Sequence, residues 1–112
     1  MKQEFIFAQK VGLGAAGAND DRGVGHAKDF VAFLDVTAQT GTTPTLDVKF
    51  QEWDESSGKW YDITGAAFAQ ATGVSNERIT FSSNAFRLRC VQAIGGTATP
   101  TFDFTVGASG TT

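Results

Sequence analysis

The chain has 112 residues, 41% of them apolar, and one cysteine: long enough for one domain with its own hydrophobic core, and without an internal disulfide. A net charge of −3 is the wrong sign for general phosphate neutralisation, so a nucleic-acid partner is excluded from the expectation. No apolar run approaches the roughly 18 residues of a membrane-spanning helix, so no membrane partner is expected either.

In chain order, residues 1–29 differ from the rest and are expected to form an N-terminal arm. EFIFAQKV (4–11) can form a short strand. GLGAAGANDDRGVGHAKD then follows, rich in Gly, Ala and Asp and without periodicity, which reads as a long loop. A structureless loop of that length is uncommon inside a domain, so the arm is expected to wrap a neighbour or lie along a surface. GLGAAG (12–17) lacks the strand–turn–helix setting of a phosphate-binding loop and is discounted. The opening MKQEFIFAQKVGLG has no long apolar stretch of the signal-peptide kind, so the chain is expected to be made and folded in a cytoplasm.

From Phe30 onward the pattern has a period of two. Leu34 and Val36 alternate with Asp35 and Thr37; Leu46, Val48 and Phe50 alternate with Asp47 and Lys49. DESSGK (54–59) is a turn between Trp53 and Trp60, followed by a short strand WYDI (60–63). GAAFAQATG (65–73) reads equally as an edge strand or a helical turn. ERITF (77–81) is a strand. FRLRCVQAI puts Phe86, Leu88 and Cys90 inward and Arg87 and Arg89 outward. TFDFTV points Phe102, Phe104 and Val106 inward, and the tail GASGTT is expected to fray. The predicted fold is all-β: residues 30–112 form an antiparallel β-sandwich, jelly-roll or Ig-like, of about seven or eight short strands with turns every 8–12 residues or so.

One sequence occurs twice. GTTPTLDVKF (41–50) follows FLDVTA (33–38), and GTATPTFDFTV (96–106) follows RLRCVQAI (87–94). Each copy is predicted to be a hairpin tip, and the two are expected in related places of the sheets.

Few residues suggest chemistry. Glu52, Asp54, Glu55 and Asp62 crowd the Trp hairpin, but they lack a calcium-loop spacing and Lys59 sits among them; a solvated tip is the simpler reading. His26 has no second histidine or thiolate to complete a site, and Cys90 reads as a small buried hydrophobe. No catalytic residue, metal site or cofactor is predicted, and the chain is expected not to be an enzyme. Trp53, Trp60 and Tyr61 are the candidate surface-binding residues, an aromatic platform suited to a sugar ring. The competing reading packs one indole in the sandwich and uses the other to close the hairpin.

From Phe33 to Val106 the chain resembles a family of small bacteriophage virion β-sandwich proteins, among them capsid decoration (cement) proteins. LDVTAQTGTTPTLDVKFQEW, WYDI, GAAFAQ and FRLRCVQAIGGTATPTFDFTV carry the resemblance over about two thirds of the sequence. It implies a virion protein on the capsid surface, made in the host cytoplasm. Its partners would be the major capsid protein and further copies of itself in a trimer. Phe5, Ile6 and Phe7 of the arm are the expected contacts with capsid or neighbour, by strand addition to a sheet edge. Deleting residues 1–12 is then expected to abolish capsid binding and leave a folded sandwich. Similar sandwiches recur on heads, tails and baseplates, so a tail or baseplate component and a carbohydrate-binding sandwich are the alternatives.

Overall fold

Period-two patterning extends through most of the chain, and strands follow it. The computed structural model describes residues 2–14 and 18–112. They form six strands: β1 (Lys2–Leu13), β2 (Ala18–Gly23), β3 (Asp29–Asp54), β4 (Lys59–Ala67), β5 (Ser75–Ser82) and β6 (Arg87–Thr111). All pairings are antiparallel.

Two strands are unusually long, and they organise the fold. β3 and β6 run antiparallel to each other from Asp29↔Thr111 to Glu52↔Leu88. Midway, this ribbon turns a corner. Its first half, residues 29–40 of β3 and 101–111 of β6, is flanked by β1 on the β6 side and β5 on the β3 side. Its second half, residues 45–54 of β3 and 87–95 of β6, is flanked by β2 and β4. Taking the halves separately, the eight segments in chain order pair as 1-8-3-6 in one layer and 2-7-4-5 in the other. That order is a jelly roll, the first of the two predicted sandwiches.

The corner corrects the reading of the duplicated sequence. The copies are not two hairpin tips. They meet only at the corner, where Thr42 pairs with Thr97; beyond it residues 45–50 pair with 90–95, which precede the second copy, and residues 101–106 pair with 34–40, which precede the first. Both copies bend there through positive φ: Gly41 (96°) and Thr43 (48°) in one, Gly96 (119°), Ala98 (59°) and Thr99 (55°) in the other. Thr97 Oγ1 donates to the Thr42 carbonyl at 3.0 Å, and the Thr40 and Thr101 hydroxyls share a hydrogen bond of 2.5 Å. A Gly-Thr break closed by Pro-Thr, with one residue between them in the first copy and two in the second, reads the same locally whether the chain reverses or only changes layer. Which strand it meets next is a long-range matter. The expectation of related places does hold, because each copy carries its strand through the corner and then pairs with the segment that precedes the other copy.

The core lies between the layers. The alternating positions Phe30, Leu34, Val36, Leu46, Val48, Phe50, Leu88, Cys90, Phe102, Phe104 and Val106 are all buried. Phe50 of the second layer meets Phe7 and Phe81 of the first at centroid distances of 5.1 Å each.

Three segments depart from expectation. Residues 2–13 and 18–23, expected in an arm, are edge strands of the sandwich. The tail expected to fray is central: Gly107–Thr111 pair with β1 on one side and β3 on the other. Phe86 precedes β6 and is 61% exposed, its ring edge-on to His26 at 5.4 Å. The ambiguous 65–73 segment ends β4 at Ala67, and Leu46 and Ala71 then exchange backbone hydrogen bonds of 2.9 Å.

Candidate functional site

The hairpin between β3 and β4 builds the most structured surface. Asp54 accepts hydrogen bonds from the Ser56 amide at 3.3 Å and the Ser56 hydroxyl at 3.0 Å, and Gly58 turns the chain at φ 67°. Hydrogen bonds from Ser57 and Ser56 hold the Asp54 carboxyl below the usual carboxylate range. This tip sets Trp53 directly opposite Trp60, with ring centroids 5.2 Å apart at 57°.

Alternation turns both indoles away from the core, on the outer face of the second layer, because Phe50 points in. Neither packs inside the sandwich. The Arg89 guanidinium lies 4.6 Å from the Trp60 ring centroid. Its Nε donates to Gln51 Oε1 at 2.7 Å; Gln51 Nε2 donates to Asp62 Oδ1 at 2.8 Å; Lys49 Nζ is 3.0 Å from the same carboxylate oxygen. The Gln51 hydrogen bond, then that of Lys49, lowers the Asp62 pKa. On the other side, Arg87 pairs with Asp21 of β2 at 3.0 Å. Exposed pairs such as these contribute about 0–1 kcal/mol each, so their role is to orient groups more than to stabilise. The face therefore offers two indoles beside a fixed row of guanidinium, amide and carboxylate.

Tyr61 does not join them. It lies opposite Glu52 on the other side of β4, 48% exposed, with its hydroxyl 3.4 Å from Ser57 Oγ. The expected three-ring platform is thus a two-ring one with Arg89 as its third planar group. The acidic residues also separate. Glu52 accepts from the Ser83 hydroxyl at 2.5 Å, while Asp54 and Asp62 bind the partners above. Among the described residues no three His, Cys, Asp or Glu side chains come together as metal ligands.

The N-terminal triplet divides by face. Phe7 is 5% exposed and belongs to the core; Phe5 is half-buried against Phe7 and Phe30. Ile6 alone stands outward, 45% exposed. Removing residues 1–12 would therefore strip Phe7 and Ala8 from the core, and a folded remainder is no longer the expectation. Register shifts between Ile6 and Ala8 and between Lys10 and Leu13 mark bulges in β1, the device by which edge strands discourage pairing with another chain.

A buried polar group sits at the side of the sandwich. Gln92 is fully buried; its amide donates to Asp20 at 3.0 Å and to Cys90 Sγ at 2.6 Å, and Asp20 pairs with Lys10 at 3.2 Å. Burial pushes the Cys90 thiol up to about 12, with the Gln92 hydrogen bond opposing. The folded state thus favours the neutral thiol. Its stabilising contribution is complete below the thiol's ordinary pKa of 9.0 and is lost as pH rises from there toward 12. Cys90 is expected to resist thiol reagents in native buffer and to react on unfolding. Cys90→Ala should flatten the alkaline loss of stability, followed by denaturant titration at several pH values. Fast labelling of the native protein would contradict this burial.

Sequence reasoning missed Gln51 and Gln92, and it read Arg89 as an outward residue without a partner in its own chain. Alternation places Arg89 outward, but its meeting with Trp60 depends on the register of β6, β3 and β4 together.

Fold and surface define the protein as a small jelly-roll β-sandwich. No family model and no curated protein matches its sequence. Among solved structures, a SPBc2 prophage-derived protein, YomS, superposes with a TM-score of 0.61 at 16% identity, covering 98% of this chain and 92% of that one. PirA gives 0.52 at 11% identity, covering 95% and 90%. The CBM22-1–GH10 modules of xylanase 10B from Clostridium thermocellum, in complex with xylohexaose, give 0.55 at 14% identity. The match covers 88% of this chain but only 20% of the xylanase chain. At these identities the likeness is one of fold.

Proposed function

We propose that the chain is a non-enzymatic structural protein of a bacteriophage virion, bound as a decoration protein to the outer surface of the assembled head. The observation that carries this reading is the nearly complete mutual coverage with a prophage-derived protein: the jelly roll accounts for almost all of both chains. The virion-protein resemblance of residues 33–106 supports it. A rigid body of paired strands also suits the task. A protein that binds only the assembled shell stabilises that shell by mass action, and many copies make modest individual affinities sufficient. The bulged β1 edge moves the proposed attachment from strand addition to a sheet face. Its partner is then the major capsid protein, and its place the capsid surface after synthesis in the host cytoplasm. Gradient-purified virions are expected to contain the chain at hundreds of copies by quantitative gel. Its absence, or a handful of copies as for a tail or baseplate part, would discard decoration.

The outer face of the second layer favours a second reading, a carbohydrate-binding sandwich. Indoles beside fixed polar groups can stack on a sugar ring and hydrogen-bond its hydroxyls. With xylohexaose as the probe, this reading predicts a saturable change in tryptophan fluorescence that Trp60→Ala removes. An unchanged spectrum removes support for that ligand.

A further inference from the structure

The outer face of the first layer carries features that the proposed function does not use. One row across it reads Ile6 on β1, Gly107 on β6, Phe33 on β3 and Arg78 on β5. Ile6 and Phe33 are each 45% exposed, although they sit on a regular sheet where polar residues would be unremarkable. Three depressions of about 590, 180 and 380 Å³ open around Phe33, which lines all of them. Gly107 lines the one shared with Ile6. The centre of the face is thus an aromatic knob next to a gap where the neighbouring strand has no side chain.

We propose that this face is a two-fold interface between two copies of the chain. The strand order across the face is β1–β6–β3–β5. A two-fold axis lying between two such faces, parallel to the strands, reverses that order in the second copy. β3 then lies over β6 of the other copy, and β5 over its β1. Phe33 of each copy falls on Gly107 of the other, so each knob meets a gap and the match occurs twice. The same operation exchanges the edges. It sets Arg78 of one copy over Ile6 of the other, with Glu4, the next outward residue of β1 and 3.9 Å from its own Lys2, within the reach of the guanidinium at both rims.

The face is large enough for this. Four strands about 4.8 Å apart and about eight residues long at about 3.3 Å per residue span about 500 Å² per copy, hence about 1,000 Å² in total. That is the lower end for specific association, the range of weak or transient pairs. This pairing goes beyond the virion reading and does not depend on it.

Sedimentation velocity of the full chain from low to high micromolar concentration tests the proposal. A monomer–dimer equilibrium is expected. Phe33→Glu should raise the dimer dissociation constant at least ~30-fold, while circular dichroism and the melting temperature of the dilute protein stay unchanged. Phe33→Thr, which keeps a strand-forming residue, should weaken the dimer in the same direction. Arg78→Glu should weaken it too, and adding Glu4→Arg should restore it. A monomer throughout the range, a trimer, a dimer indifferent to both Phe33 variants, or a charge exchange that fails to restore association would each overturn the proposal.

Discussion

Phe50→Ala is expected to lower stability by about 3–5 kcal/mol, the range for truncating a fully buried aromatic side chain. Phe50 is fully buried in the second layer. Its ring meets Phe7 and Phe81 of the first layer at 5.1 Å and Phe68 beside it at 6.1 Å. Truncation removes the transfer free energy of the ring. It also leaves a cavity bounded by rings on paired strands, which cannot collapse far. A domain of this size has a total stability of about 5–15 kcal/mol, so the variant should show a much earlier urea midpoint or fail to accumulate. Phe86→Ala is the control: its ring is 61% exposed, and a change within about 1 kcal/mol is expected. Equal effects of the two would mean that the layers do not meet through Phe50.

Gly96→Ala should cost more than about 3 kcal/mol, because conformation and space fail at once. Gly96 has φ 119°, and a Cβ there would lie 2.6 Å from the Thr43 carbonyl oxygen and 2.9 Å from Pro44 Cα. Both obstacles are backbone atoms of the opposing copy, so neither can rotate away. Gly58→Ala separates the two causes. Gly58 also has positive φ, 67°, but nothing lies within 4 Å of its Cβ position, so about 1–2 kcal/mol is expected. Thermal melts of the two variants measure the difference. If Gly96→Ala is as mild as Gly58→Ala, the two copies do not pack against each other at the corner.

That corner also marks where sequence reading stopped. The inward faces at 30–36, 46–50 and 102–106 were legible because each has a period of two, and the Trp53–Trp60 hairpin because its turn residues lie between two aromatic residues. The corner was read as two hairpins because a local break does not say which strand comes next. β2 was hidden by composition: ANDDRG has almost no strand propensity, and its acids instead reach Lys10, Gln92 and Arg87 on other strands. The tail was hidden similarly. Its small residues suit the packing, since a Cβ at Gly110 would lie 2.9 Å from both Ala27 Cβ and Phe30 Cε1. Of the candidate surface, the two indoles were legible by alternation. The displacement of Tyr61 to the opposite side follows from the same alternation, since it neighbours Trp60, whereas the Arg89–Gln51–Asp62 row needed the pairing of three strands. Phe33 stood out only once its cross-strand neighbour proved to be glycine.

The proposed place of this jelly roll in a virion is tested most directly by cryo-electron microscopy of purified particles. The account predicts density the size of this sandwich repeated over the outer head surface, with a sheet face rather than the β1 edge against the shell. Density confined to the neck, tail or baseplate, or no density matching the fold on the particle, would contradict it.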